Sequence, residues 1–281
     1  MHIWCCQLAA EQESKVISFY KKTASQYDKE YQNPYFQEVY DKITWHYIKP
    51  YLPKTGVILD AGGGTGKWSV PIAKEGLKVI LCDLSKDMLK VAEQKIRQEE
   101  LQDSVFLVQV DICHMPFQSN SFGFALAEGD PISYCSSPKN AVRELSRVLR
   151  QNCFIAAGVD SLFATLRRML NSEQVNLDEV LEVFKEKRIH ARDSGFDCWA
   201  FTPKDLRRLF TKYGLRIVKI VGKPIMFAGR PETNFIFQDE EKTKKLLEIE
   251  LKFCENPDIA GYGGHLHIVA RKSLKKGTSK K

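Results

Sequence analysis

The stretch DAGGGTGKWS, Asp60–Ser69, places four glycines and a lysine directly after the apolar run GVIL, Gly56–Leu59. An apolar run that turns through glycines into a helical pattern is a strand–turn–helix unit, and in an α/β protein that turn is where a ligand meets the backbone. What the loop lacks narrows the ligand. A triphosphate-binding P-loop needs Gly, four residues, then Gly-Lys-Ser/Thr, because the hydroxyl holds magnesium. Counting back from Gly66–Lys67, the first position is Ala61 and the hydroxyl position is Trp68, with Ser69 one residue late. A dinucleotide finger needs Gly-x-Gly-x-x-Gly, whose third glycine lets the helix pack on the strand. Here Gly62, Gly64 and Gly66 alternate and Lys67 stands where that glycine belongs, so a pyrophosphate has no seat. A tight turn without any ligand stays open on the loop alone.

Outward from the loop the unit repeats. KVILCD (78–83) reads as a strand, SKDMLKVAEQKIRQEEL (85–101) as a helix with Ser85 as N-cap, and SVFLVQVD (104–111) as the next strand. FGFALAEGD (122–130), SPKNAVRELSRVLRQN (137–152) and CFIAAGVD (153–160) continue as strand, helix, strand. Nearly continuous apolar strands alternating with helices predict a doubly wound, seven-stranded, mostly parallel α/β sheet covered on both faces. Residues 161–200 break the rhythm with two helices, SLFATLRRMLN and LDEVLEVFKEKRI, an insertion expected over the substrate side. Residues 201–272 resume the core with helix, strand, helix and a final strand, GHLHIVARK. Ahead of the core (51–160), residues 1–50 carry two helices rich in aromatics: Phe19, Tyr20, Tyr27, Tyr31, Tyr35 and Phe36. Part of that segment is expected to fold over the cofactor as a lid. The lysine-rich residues 273–281 are expected to be disordered.

A chain of 281 residues with 43% hydrophobic content can bury an ordinary core. Of the formal charge of +7, five units come from Lys272, Lys275, Lys276, Lys280 and Lys281, leaving about +2 for the rest, too little to argue a nucleic-acid partner. Eight cysteines without a Cys-x-x-Cys pair suit reduced thiols. No secretory signal and no apolar run of roughly 18 residues is present, so a cytoplasmic protein without a membrane partner is expected.

With its context, VILDAGGGTG followed by VILCDLS and then VDICHMPFQSNSFGFALAEGDP resembles the class I S-adenosylmethionine (SAM)-dependent methyltransferases, in particular the small-molecule branch related to ubiquinone and menaquinone methyltransferases. The resemblance runs roughly from Ser14 to Lys272 and implies SAM as cofactor. Asp83, ending the second strand, can accept both ribose hydroxyls; its alternative is a helix N-cap. In the resembled family the position of Asp111 accepts the adenine amine while the backbone of Ile112 donates to the ring, and Asp60 faces the methionine amino group, often through water. Gly62, Gly64 and Gly66 let the backbone approach the cofactor. Glu128 and Gly129 lie where the sheet order reverses. Leu84 completes the expected cofactor set with Tyr20, Tyr27 and Met88, the last equally readable as core.

Methyl transfer is a displacement at carbon with the sulfonium as leaving group, so the protein mainly aligns the reactants. A hydroxyl acceptor additionally needs a base, for which Tyr27, Asp130 and His265 are candidates. His265 and His267 share a strand face and could form a pocket base or half a metal site, but the sequence identifies no carboxylate partner, and no metal is expected. EGDPISYC replaces the Asn-Pro-Pro-Tyr/Phe of amide and nucleobase methylators, and Cys135 and Cys198 do not match the spacing of arsenic methyltransferases. The expectation is an enzyme that methylates O, N or S of a small molecule. A protein or RNA methyltransferase and a non-catalytic SAM-binding module are its rivals.

Overall fold

The computed structural model describes residues 2–190, 195–227 and 235–273. The tail expected to be disordered lies outside them from residue 274 onward. Seven strands form one sheet: β1 (Val57–Ala61), β2 (Lys78–Asp83), β3 (Val105–Gln109), β4 (Phe122–Ala127), β5 (Leu149–Asp160), β8 (Leu215–Lys223) and β9 (His265–Lys272). Their order is β3-β2-β1-β4-β5-β9-β8. The first five run parallel, and β9 lies antiparallel between β5 and β8. This is the expected doubly wound α/β architecture. Because the order reverses between β1 and β4, the crevice opens at the carboxyl ends of those two strands.

Both sheet faces are dry, which explains the unbroken apolar strands. One face packs Ala141, Val142 and Leu145 of α6 (Pro138–Val148) with Leu206 and Phe210 of α9 (Pro203–Lys212). The other packs Ile72 of α3 (Ser69–Lys74), Leu89, Ala92 and Ile96 of α4 (Lys86–Gln98), and Ile43 and Ile48 of α2 (Asp41–Ile48). Ser85 caps α4 as expected, its side chain accepting from the Met88 N–H. A capping box of Thr202 and Asp205 starts α9.

Three features depart from the expectation. The first helix is a single α1 from His2 to Glu30, followed by a π-helical turn at Tyr35–Tyr40 that leads directly into α2. β5 starts at Leu149, inside the segment read as helix, through a bulged pairing with β4. Within the insertion, α7 (Leu162–Leu170) and α8 (Leu177–Glu186) are followed by a two-stranded ribbon, β6 (Arg188–His190) with β7 (Asp197–Trp199), too short to leave an alternation signal. The described cysteines whose side chains are placed are free thiols. No described helix is long and apolar enough to cross a membrane.

Candidate functional site

A cavity opens at the carboxyl ends of the parallel strands, between the glycine loop and α1. The loop forms its floor. Gly62 and Gly63 donate to the Cys82 carbonyl at 2.8 and 2.9 Å, which folds the turn back over β2. Gly64 has φ +54°, and a Cβ there would meet Met88 Cε at 3.1 Å, so glycine answers both a left-handed backbone and a close wall. Asp83 anchors the loop: one carboxylate oxygen accepts the Gly64 N–H at 2.9 Å and the other the Ser85 N–H at 2.8 Å. Burial pushes its carboxyl up to about 6, against the pull of those N–H groups. Each oxygen keeps a further lone-pair site, so Asp83 can still accept two hydroxyls.

Tyr20, Tyr27, Gly62, Gly64, Asp83, Leu84, Met88, Asp111, Ile112, Glu128 and Gly129 all line the cavity. Asp111 accepts the Cys113 N–H at 2.9 Å and meets His114 Nδ1 at 3.0 Å. The carboxylate of Glu128 is turned inward, 2.7 Å from Lys223 Nζ and 2.5 Å from His267 Nδ1. Burial alone would raise its pKa, but the Lys223 and His267 charges hold it down at about 2.

Two expected cofactor residues stand outside the wall. Asp60 is fully buried behind the loop, where it accepts from Ser69 Oγ at 2.6 Å; a Cβ on Gly63 would fall 2.7 Å from its carboxylate. Gly66 faces Leu81 and Ala92, and its φ of +80° closes the turn rather than approaching a ligand. The sequence spacing could not separate the outer from the inner side of the loop.

Helix α1 roofs the cavity and is fastened near its C-terminal end and again at Gln12, within the helix. Asp28 accepts from Thr65 Oγ1 at 2.6 Å and pairs with Lys95 at 2.7 Å. Gln12 donates to the Tyr134 and Asp197 carbonyls at 3.0 and 2.7 Å. A ladder of rings, Phe19, Tyr20, Tyr27, Tyr31, Phe36 and Tyr40, runs with centroid steps of 4.8–6.0 Å and ends against His265 at 5.3 Å. Burial drives the Tyr20, Tyr27, Tyr40 and Tyr134 hydroxyls well above the usual phenol range, with the Asp130 charge adding to the rise. Tyr27 therefore keeps its proton at neutral pH and can donate a hydrogen bond.

The other two catalytic candidates meet beside the cavity, outside its wall. His265 Nε2 lies 3.2 Å from Asp130 and 3.9 Å from Asp160. Asp160, which sequence reasoning passed over, ends β5 and pairs in register with His265 on β9. It occupies the same strand-end position that singled out Asp83, a signal that was present. Burial, the Asp130 charge and then His265 set its carboxyl at about 7, the first two raising it and the last lowering it. Gly129, Pro131 and Tyr134, which bracket Asp130 in the chain, line the cavity. The wall also includes Trp68 and Glu13, which carried no signal in the sequence.

Comparison with known proteins follows this geometry. Residues 58–152 match the family described as "Methyltransferase domain". Demethylmenaquinone methyltransferase of Lactiplantibacillus plantarum is 34% identical over 103 residues, 36% of this chain and 43% of that protein, so the match spans less than half of that relative. The tRNA 5-carboxymethoxyuridine methyltransferase of Escherichia coli K12 is 24% identical over 83% of this chain and 88% of its own. The fold superposes on a SAM-dependent methyltransferase of Thermotoga maritima, a possible histamine N-methyltransferase, with a TM-score of 0.58 and 19% identity, covering 92% of this chain and all of that one.

Proposed function

We propose that this chain, a class I SAM-dependent methyltransferase, moves the methyl group to oxygen, nitrogen or sulfur of a small-molecule acceptor held between the tyrosines of α1 and the Asp130–Asp160–His265 cluster. The observation that carries the reading is the shared cavity, with an anchored glycine loop and Asp83 on one side, the tyrosine ladder above, and a carboxylate–imidazole cluster alongside. SAM, when bound, supplies a methyl group on a sulfonium whose sulfur departs as a neutral thioether.

The residues present fit that cofactor. Asp83 retains acceptor sites for the ribose hydroxyls, and Gly62 and Gly64 present backbone without side-chain obstruction. Asp111 and Ile112 line the same cavity and would read the adenine edge, with Leu84 and Met88 to pack beside the ring. Asp60 acts from behind the loop: one buried carboxylate oxygen has no partner among the described residues, leaving negative charge for an ammonium to satisfy through the loop or a water. Displacement at carbon gains most from alignment and from exclusion of water, and the α1 roof supplies both. As a lid, α1 opens at its Asp28 and Gln12 fastenings to admit ligands.

A tRNA acceptor is the second reading, favoured by the relative aligned along 88% of its length. The roofed cavity and the near-neutral core support the small acceptor instead. Labelled SAM is supplied with a metabolite extract in one reaction and with bulk tRNA in another. Label in a low-mass product supports the proposal. Label in tRNA alone overturns it in favour of the second reading.

A further inference from the structure

Asp130, Asp160 and His265 come from three separate strand ends. Asp130 follows β4, Asp160 closes β5, and His265 opens β9 opposite Asp160. Their ligand atoms, one per side chain, all lie within 4.8 Å of one another. We propose that this cluster is a binding site for one divalent metal ion of the Mg²⁺ or Mn²⁺ class, placed beside the cofactor cavity.

Proximity of acids alone does not make a site; the state of Asp130 does. The residue is only 5% exposed, so its carboxylate is cut off from water. One oxygen meets His265 Nε2 at 3.2 Å, while the other, Oδ1, is buried with no hydrogen-bond partner among the described residues. An unsatisfied buried carboxylate oxygen costs free energy unless something cationic or a donor reaches it. Asp160 adds a second carboxylate, whose nearest basic partner among the described residues is His265 at 3.9 Å. Arg168, which also acts on Asp160, lies on the exposed side of α7. With the imidazole deprotonated to ligate the ion, the two carboxylates carry a charge of −2, which a divalent cation balances.

The donor set fits a hard cation that accepts nitrogen as well as oxygen. Three protein ligands on rigid strand ends leave positions open in an octahedral shell. Resting on the methyltransferase reading, those positions suit an acceptor that offers two neighbouring oxygens, such as a vicinal diol or a hydroxy acid. The metal would then lower the pKa of the bound hydroxyl, so that the attacking oxygen enters already deprotonated. Its proton leaves to solvent, the O–CH₃ bond forms as the S–CH₃ bond breaks, and the electron pair of that bond stays on sulfur.

The test uses Mn²⁺ as probe and the full chain. Calorimetry and the electron paramagnetic resonance of free Mn²⁺ should report one saturable site with a dissociation constant below about 1 mM. Asp160→Asn and, separately, Asp130→Asn should each weaken it at least tenfold. S-adenosylhomocysteine should bind to both variants as it does to the wild type, which also verifies that they are folded. Bound Mn²⁺ should broaden the proton resonances of S-adenosylhomocysteine in the wild type and not in the variants. Absence of saturable binding to the wild type, or binding that both variants retain unchanged, overturns the metal site while leaving the cofactor reading intact. Failure of S-adenosylhomocysteine to bind the wild type strikes the cofactor reading instead.

Discussion

Replacing Asp60 by Asn should stabilise the free protein by an amount that depends on pH. Asp60 is fully buried, with one oxygen satisfied by Ser69 and the other by nothing described. Burial pushes its carboxyl up from 3.8 to about 7; the Ser69 hydrogen bond opposes the rise and the Asp83 and Glu128 charges add to it. A carboxyl raised in the native state holds its proton more tightly folded than unfolded. Its ionisation therefore costs nothing below the unfolded value, and stability is lost as the pH rises from there through about 7. At 1.36 kcal/mol per pH unit, the penalty is roughly 2 kcal/mol at pH 5 and roughly 4 kcal/mol at pH 8. Asn does not titrate and keeps an oxygen for Ser69, so any fixed cost of the amide cancels between the two conditions. The stability difference between Asp60→Asn and wild type should thus grow by about 2.5 kcal/mol from pH 5 to pH 8, measured by urea unfolding without cofactor. A difference that stays constant within about 0.5 kcal/mol would refute the reasoning. The same variant should bind SAM more weakly, because the charge that is costly in the free protein is the one an ammonium would neutralise.

Asp83→Ala should weaken SAM by about 1.5–3 kcal/mol, ten- to a hundredfold by calorimetry, the scale for losing hydrogen bonds to a charged group; an unchanged constant would leave Asp83 as a loop anchor only. Lys223→Met should cost about 3–5 kcal/mol by abandoning the buried Glu128 carboxylate, and Glu128→Gln in the same chain should recover part of the loss in a thermal melt. In hydrogen exchange, the amides of residues 14–30 should exchange quickly in the free protein and slow when S-adenosylhomocysteine is added. Protection equal to that of β1 and β2 without ligand would make α1 a fixed wall.

The core was legible because its signals are local. Period, caps and glycine turns place β1, β2 and α4 nearly to the residue, and strand-end logic singles out Asp83 and Asp111, both of which line the cavity. What stayed hidden depends on contacts between distant parts of the chain. Glu128, Lys223 and His267 are 95 and 44 residues apart along the sequence, and only the antiparallel insertion of β9 brings them together. The same strand sets His265 against Asp130 and Asp160, supplying the carboxylate partners no spacing could reveal. Asp60 and Gly66 lie off the cavity wall for the opposite reason: they belong to the same loop but face its buried side, and a run of alternating glycines has no inside or outside until it is folded.

The charge around the crevice should add selectivity of its own. Every parallel strand bordering it ends in or near a carboxylate: Asp60 in β1, Asp83 in β2, Asp111 past β3, Glu128 past β4 and Asp160 in β5. Of these, Glu128 is met by the buried Lys223 ammonium, whereas Asp83 and Asp111 lean on backbone N–H groups and Asp60 on a hydroxyl. Lys67, the cation in the loop itself, is drawn off to Asp41 at 2.7 Å. Carboxylates set in low-dielectric walls focus a negative potential on the space between them. A ligand bearing a sulfonium and an ammonium is attracted there, while the phosphates of ATP or NAD meet repulsion as well as a loop without a phosphate seat. Discrimination against those nucleotides should therefore persist even if the loop is edited toward a phosphate-binding pattern. Trp68→Ser with Ala61→Gly restores the P-loop residues, yet should yield no measurable ATP binding in calorimetry while these carboxylates remain; ATP affinity in the micromolar range would show that the loop alone, and not the field, sets the choice.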